Sequence, residues 1–459
     1  MPARCAAFRT RQPAPGTERG APMTRHLIIG TGVAGVSAAF AIRSVDPVAE
    51  IVLIGNEPDK FYSRPGLAYM LTKEIPEKML FSIQAREFAA QRLSLVNGVV
   101  ERVDPQGRSI FLRGGQRLDY DRLLFATGAT AVMPDLPDID LKGVVKLDNI
   151  SDARRIIKLA RAGKPAVVVG GGITALELVE GLARRGMNVH YLLRKDRYWG
   201  NVLDESESRI IESRLRHEGV TLHFHSDVEA LLAKRGAVSG VRLVGGQVLP
   251  ARLVAFAIGI RPRLSLARSA RLEIDRGILV DEFLRTSAPD VYAAGDAAQA
   301  YDPNSGRHVL DSLWNPAREQ GHTAGLNMAG QPTAYVRKTA FNVTRLAGLT
   351  TTIIGTVGGG RDDDLVGIAR GDSEVWRDLP HAIACQTHVD VNRVRLMVGE
   401  RTLVGAIVMG DQTLSQPLQE LITEQVDITR VRTALVGANG TLSGVLVDFW
   451  KDWRQSRAN

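Results

Sequence analysis

The sequence predicts an α/β fold in which one strand-turn-helix unit occurs twice and a smaller α+β domain follows. Three observations predict it. His26 to Phe40, HLIIGTGVAGVSAAF, runs three apolar residues into Gly30, Gly32 and Gly35 and then into a small-residue helix pattern. Ala166 to Val169 runs into Gly170, Gly171 and Gly172, with Ala175 in the third position and a helix pattern from Ile173 to Leu182. From Thr333 onward the pattern becomes strand-rich (TTIIGTV, HAIACQT, RLMVG, LVGAIVMG), with helical segments from Leu418.

Each glycine of the first unit has its own task. Gly30 makes the tight turn, Gly32 lets backbone approach a pyrophosphate, and Gly35 permits close helix packing, while the phosphates sit on unpaired amides at the helix N-terminus. An alanine at the third position is within the same fingerprint, so Gly170, Gly172 and Ala175 repeat the pattern. About 140 residues separate the two, which is a duplicated domain rather than a solenoid repeat. Two Rossmann-like dinucleotide-binding domains are therefore expected.

Between and beyond them the chain reads as follows. Ile51 to Ile54 is a strand ending in Gly55, Asn56 and Glu57, where a ribose-binding acid belongs. Phe61 to Leu71 is a loop that opens a helix after Pro65 and Gly66, and Leu93 to Val103 with Ser109 to Leu112 forms a hairpin-rich excursion. Leu123 to Thr130 is a buried strand stopping at Thr127 and Gly128, and Ser151 to Ala162 is an amphipathic connecting helix. The second unit's second strand, Val189 to Leu193, ends in Arg194, Lys195, Asp196 and Arg197. Leu253 to Ile260, which contains Gly259, leads to Arg261 and Pro262; Asp290 to Ala298 is a strand ending in Gly295 and Asp296; a helix follows from Pro316 to Met328. The expected division is an N-terminal extension at 1–22, a discontinuous first dinucleotide domain at 23–148 and 272–330, a second at 149–271, and a C-terminal interface domain at 331–459.

Composition narrows the class. The 459 residues are 44% hydrophobic and 24% charged, enough for about three domains, and no apolar run approaches the roughly 20 residues of a membrane span. Lys and Arg exceed Asp and Glu by 58 to 50, a net charge of +8 carried by scattered residues. That biases the chain toward acidic partners and away from a nucleic-acid role. Cys5 and Cys385 cannot make a disulfide framework, which fits a reducing cytoplasm. Residues 1–22 are rich in Arg and Pro without an apolar core, so disorder and a translation start at Met23 are expected, with a transit peptide as the alternative.

Taken together, Gly30/Gly32/Gly35, Ala126-Thr127-Gly128, Gly170 to Glu177 and Gly295-Asp296 resemble the FAD-dependent pyridine nucleotide-disulfide oxidoreductase superfamily, with its glutathione reductase-like FAD/NAD(P) fold. The likeness is nearer to the ferredoxin and rubredoxin reductases, apoptosis-inducing factor and the reductase part of NADH-dependent nitrite reductases. It covers Met23 to about Leu446. The resemblance implies FAD on Gly30, Gly32 and Gly35, with Asn56 or Glu57 at the adenosine ribose and Tyr62, Arg64 and Pro65 along the flavin side. It also implies Thr127, Gly128, Gly259 and Gly295 in the cofactor-binding set, Asp296 at the ribityl or phosphate region, and Trp314 facing the pyrimidine edge or packed as core.

The second unit then takes the nicotinamide cofactor. Arg194, Lys195 and Arg197 suit a 2′-phosphate, so NADPH is favoured, and Asp196 leaves NADH open. The implied activity is FAD-dependent NAD(P)H oxidoreduction, a hydride passing to FAD and electrons passing to a separate acceptor, either a small acidic iron-sulfur protein such as a ferredoxin or rubredoxin, or a small molecule. A peripheral quinone reductase and a slow redox sensor are the alternatives.

Two departures matter. The stretch Phe61 to Tyr69 holds no cysteine, so disulfide or peroxide chemistry through a protein thiol is disfavoured. The lysine that the family pairs with the counterpart of Glu177 is missing, Ala68 and Tyr69 standing there, and a Tyr69–Glu177 hydrogen bond is the expected substitute. No metal site is expected, His381, Cys385 and His388 reading as strand packing and Asp362 to Asp364 as a solvated loop. Leu446, Phe449, Trp450 and Trp453 form an aromatic helical stripe for packing on the body, for a homodimer, or for a membrane surface.

Overall fold

The computed structural model describes residues 23–59, 61–303, 305–357, 383–389, 392–437 and 442–458. The first unit builds a five-stranded parallel sheet with the spatial order Val291–Ala293, Arg122–Phe125, Arg25–Ile29, Glu50–Gly55, Leu93–Asn97. Its central strand is a continuous apolar run because both faces are covered: Leu27, Ile28 and Ile29 are all buried. The second unit repeats the plan with Thr221–His223, Asn188–Leu192, Pro165–Val169, Leu253–Phe256 and Val144–Val145, again all parallel. Each unit carries a three-stranded antiparallel meander, Val100–Asp104 to Arg117–Asp119 in the first and Val228–Lys234 to Val248–Pro250 in the second.

The expected Leu93 to Val103 strand divides. Leu93–Asn97 edges the parallel sheet and Val100–Asp104 begins the meander. Gly98 marks the change, its N–H donating to the Gly55 carbonyl at 2.8 Å as the last rung of the parallel ladder. Likewise Leu253 to Ile260 breaks into Leu253–Phe256 and Ile260–Pro262, with Gly259 at φ +128° between them. The helix expected from Pro316 spans Trp314–Met328.

That helix lies on the first-unit helix Val33–Val45 in backbone contact. A Cβ on Gly321 would stand 2.1 Å from the Ala34 carbonyl oxygen, and one on Gly325 would stand 2.4 Å from that of Ala38. Small residues on both helices are what allow the approach.

The third region is a five-stranded antiparallel sheet in the order Phe341–Leu346, Leu349–Gly355, Leu403–Met409, Asn392–Val398, Ile383–Val389. Helices Ser415–Thr423, Thr429–Gly437 and Leu442–Ala458 follow. Its sheet is fastened to the second unit by buried charge. Arg393 donates to Asp204 at 2.6 Å, and Arg395 Nε donates to Glu207 at 2.9 Å while its other nitrogens reach the Val357 and Val202 carbonyls. Asp204 and Glu207 are also the reciprocal capping pair of the Glu205–His217 helix.

The C-terminal stripe has a covered face. Leu446 and Phe449 are buried in the third region's core, Trp450 and Trp453 pack against it, and Trp450 Nε1 donates to Glu420 at 2.9 Å. The side most suited to a membrane surface is thus spent on the domain itself. No helix among the described residues is long and apolar enough to cross a membrane.

Candidate functional site

The two glycine turns produce the same local object. Gly32 is the N-cap of the Val33–Val45 helix and Gly172 that of Ile173–Ala183; neither helix has a side-chain cap or an acidic residue in its first turn. The first amides of each helix are left for an external acceptor, in the positive end of the helix dipole. Beside them is space: a Cβ on Gly32 or on Gly171 would meet nothing within 4 Å. Phosphate groups fit such a place, and a carboxylate side chain there would repel them.

The turn glycines are needed for the opposite reason. Gly30 has φ +125° and a Cβ on it would lie 2.0 Å from the Ala126 carbonyl; Gly170 has φ +146° and meets the Ala257 carbonyl at 2.2 Å. Ala126 and Ala257 stand in equivalent places, each just after the strand that pairs with the unit's first strand.

Several of the residues expected at the first unit are bonded to one another. The Glu57 carboxylate accepts from the Tyr62 hydroxyl at 2.6 Å and from Arg64, and Asn56 is exposed beside it. Arg64 also donates to the Asp148 carbonyl at 2.6 Å, and Pro65 is the N-cap of the Gly66–Leu71 helix. Asp296 sits in the Gly295–Ala297 turn; burial pushes its carboxyl up to about 6 against the pull of Arg64. A carboxyl in that setting calls for hydroxyl donors, as a sugar or ribityl chain would offer. Gly295, at φ +75°, donates its N–H to the buried Gln320 side chain at 2.8 Å. Trp314 packs on Phe61 with ring centroids 6.0 Å apart, and Thr127 and Gly128 hold the Arg263 backbone through bonds of 3.3 and 2.9 Å.

Around the second opening Arg194 and Lys195 are exposed, and Arg194 has no bonded partner among the described residues. Arg197 is half-buried and donates to Asp196 at 3.0 Å and to the Gly200 carbonyl at 3.3 Å, so the one acid in this turn is neutralised by its neighbour. The Gly259 carbonyl accepts from Val132 N at 2.9 Å, tying the strand ends together.

Glu177 lies in the second turn of the Ile173–Ala183 helix; burial, then the nearby Glu180, pushes its carboxyl up to about 8. The expected Tyr69–Glu177 bond is not made: Glu177 has no hydrogen-bond partner among the described residues, and Tyr69 is 36% exposed. The reason is helix rotation. The Gly66–Leu71 helix packs on Gly181 through Leu71, whose Cβ is 2.8 Å from where a Gly181 Cβ would be. Tyr69, two residues earlier, points about 200° away around the helix.

Several residues at or behind these openings went unread in the sequence: Asp148, Arg263, Glu180, Tyr198 and Trp199. Only Glu180 carried a usable signal, three residues after Glu177 on the same helical face. Asp148 binds Thr130, Lys146 and Arg263 at 2.8, 3.1 and 3.0 Å, a junction no local pattern announces. His381 and Asp362 to Asp364 lie outside the described residues, and Cys385 and His388 are described only as backbone in Ile383–Val389. Among the described residues no group of His, Cys, Asp and Glu is arranged to hold a metal ion.

Comparison with known proteins agrees with this geometry. Residues 24–321 match the family model for pyridine nucleotide-disulphide oxidoreductases. The chain is 33% identical over 316 residues to a ferredoxin–NAD(P)+ reductase from a Sphingomonas species, covering 67% of this chain and 76% of that one. It is 24% identical over 406 residues to the nitrite reductase [NAD(P)H] of Bacillus subtilis, covering 88% of this chain but 48% of the relative; against the assimilatory nitrate reductase electron transfer subunit of the same organism it covers 51%. The chain thus spans about half the length of those two relatives. Among solved structures, the covalent putidaredoxin reductase–putidaredoxin complex superposes with a TM-score of 0.81 at 22% identity, over 93% of this chain and 99% of that one. With two glycine turns, two uncapped helix starts and this match over most of its length, the chain belongs to the pyridine nucleotide-disulphide oxidoreductase family.

Proposed function

We propose that the protein is an FAD-dependent NAD(P)H oxidoreductase that passes electrons to a separate acceptor, a small acidic iron-sulfur protein of the ferredoxin or rubredoxin kind. The observation that carries this is the presence in one chain of two uncapped helix N-termini, each with open space at a glycine, Gly32 and Gly171. Two dinucleotides are thereby accommodated. The flavin supplies hydride acceptance and one-electron release; the chain binds, orients and controls protons.

In this reading the first helix start holds the FAD pyrophosphate, Asn56 or Glu57 meets the adenosine ribose, and Asp296 accepts from the ribityl hydroxyls. Tyr62, Arg64 and Trp314 border the flavin. The second helix start holds the nicotinamide cofactor, with Arg194 and Lys195 on a 2′-phosphate, and Glu177 is the acid beside the reacting rings. The relatives named above, reductases of small electron carriers or of nitrite, support this division of labour. The absence of cysteine from Phe61 to Tyr69 sets it apart from thiol-based members. The division into 23–148 with 272–330, 149–271 and 331–459 is carried forward with one refinement: Val144–Val145 pairs with the second sheet, so that boundary belongs near 143.

Anaerobic stopped-flow mixing tests the reading. Flavin bleaching by NADPH faster than by NADH, followed by fast reoxidation with ferredoxin or rubredoxin, is the expected result, and Arg194→Ala with Lys195→Ala should remove the NADPH preference. A purified chain that binds no flavin overturns it.

A further inference from the structure

Glu177 and Glu180 stand one turn apart on the Ile173–Ala183 helix, at the seam between the second unit and the C-terminal sheet. Glu180 Oε1 accepts from Gly348 N at 3.1 Å, and Gly348 lies in the turn joining Phe341–Leu346 to Leu349–Gly355. Behind the two acids are Tyr191, Tyr198 and Trp199, with exposures of 0%, 0% and 4% and ring centroids 6.4 and 6.1 Å apart in series. Their polar ends, the Tyr191 and Tyr198 hydroxyls and Trp199 Nε1, are sealed from solvent and have no hydrogen-bond partner among the described residues.

Three such atoms in one place are unusual. An unsatisfied buried polar group costs about 1–3 kcal/mol, and native proteins relieve that cost with buried water wherever two to four polar partners converge. Here the two phenols lie within the electrostatic reach of the carboxyls, Tyr191 of Glu180 and Tyr198 of both, and the Trp199 ring stands next to that of Tyr198.

We propose that Glu180, Tyr191, Tyr198 and Trp199 enclose a short chain of ordered water that links Glu177 to solvent at the Gly348 turn and relays protons to it. The groups that face this path are known on every side. Glu180 senses Glu218, Arg345 and Glu74 at the surface end; the Tyr191 phenol lies in the field of Glu180, and the Tyr198 phenol in those of Tyr191, Glu180 and Glu177. Burial keeps both phenols un-ionised, able to accept and donate at once, and pushes Glu180 up to about 7, so the two acids exchange protons near neutrality.

The inference rests on the reading of Glu177 as the acid beside the flavin. Reduction of oxidised flavin to its neutral reduced form takes up a hydride, with both electrons, and one proton. In this scheme the proton leaves the Glu177 O–H, and the carboxylate is reprotonated through Tyr198, Tyr191, water and Glu180 from solvent. Passing two electrons to one-electron acceptors returns two protons along the same path.

Two readouts test it on the full chain. Without flavin, infrared titration should find both carboxyls protonated at pH 6 and ionising near neutrality, and Glu180→Gln should lower the Glu177 midpoint by about one pH unit, since a neighbouring negative charge is removed. A Glu177 midpoint that does not move overturns the coupling. With flavin and NADPH, proton uptake followed by an indicator dye should fall behind flavin bleaching by about a hundredfold in Tyr198→Phe, and in Tyr191→Phe should the first variant fold poorly. Uptake that keeps pace with bleaching overturns the relay. A positive infrared result in a chain that takes up no added FAD would leave the coupling standing and sink the oxidoreductase reading instead.

Discussion

The two dinucleotide-type units share a plan and differ in how tightly their helices are pressed onto their sheets. In the first, a Cβ on Gly35 would stand 2.1 Å from the Gly30 carbonyl oxygen; in the second, Ala175 occupies the same place and is buried without conflict. The difference follows from what lies behind. The Val33–Val45 helix is pinned by Trp314–Met328 through Gly321 and Gly325, whereas Ile173–Ala183 packs against the short Gly66–Leu71 helix and a seam that holds two acids. The third fingerprint position reports the pressure on the helix rather than the chemistry of the ligand.

The sharpest way to break this comparison is to exchange the residues. Gly35→Ala should destabilise the first unit by more than about 3 kcal/mol in urea unfolding, because the methyl meets backbone that cannot yield. Ala175→Gly should cost about 2 kcal/mol, the helix-propensity difference plus the loss of one buried methyl. Equal losses would show the two helices to be equally pressed.

A second contrast lies in the strands. His26 is 1% exposed with neither ring nitrogen bonded among the described residues, and burial lowers it to about 4, whereas its counterpart in the second unit is Ala166. The unfolded chain binds a proton at about 6.5 and the folded chain does not until about 4. Stability is therefore lost as pH falls through that window, by up to about 3 kcal/mol. His26→Leu should abolish that part of the acid slope; an unchanged slope would assign it elsewhere.

The second unit should respond with the opposite sign. Glu177 is raised to about 8 from 4.5, so its folded form holds a proton that the unfolded form has released. Stability falls as pH rises from about 4.5 to 8, by about 2 kcal/mol once the partly accessible carboxyl is discounted. Glu177→Gln should flatten this limb in thermal melts from pH 5 to 8.5, and a melt that stays parallel to the parent protein's would count against a neutral Glu177.

The smallest stability effect belongs to Gly32→Ala. Its φ of −77° suits any residue and its Cβ would meet open space. Unfolding should shift by less than about 0.5 kcal/mol, while FAD affinity measured by fluorescence falls about tenfold, or about 1.4 kcal/mol. A fold that collapses instead would show that Gly32 serves the chain and not the ligand.

Legibility in the sequence followed the range of the forces. Gly30, Gly32, Gly35 and Gly170 could be read because turn, close approach and helix start all lie within six residues. The split of Leu93 to Val103 could not, since it depends on Gly98 bonding to Gly55 in another strand. Tyr69 was assigned to Glu177 by proximity along a family pattern, and the rotation of a six-residue helix decided otherwise. Asp148 joins Arg64 across 84 positions and Arg263 across 115, and Glu207 joins Arg395 across 188. Such partners are selected by the finished fold, so no window of sequence contains both.

The arginine pair of the C-terminal sheet has a practical meaning for anyone who cuts or recombines this chain. Residues 24–321 look like a self-sufficient module by family match, yet Asp204 and Glu207, which start one of that module's helices, find their cations at Arg393 and Arg395. A truncation after 321 would remove the cations and their cover together, leaving the Asp204 and Glu207 carboxylates without Arg393 and Arg395 at the start of that helix. Chimeras that graft a new acceptor-facing tail onto this body need to carry Arg393 and Arg395 with it.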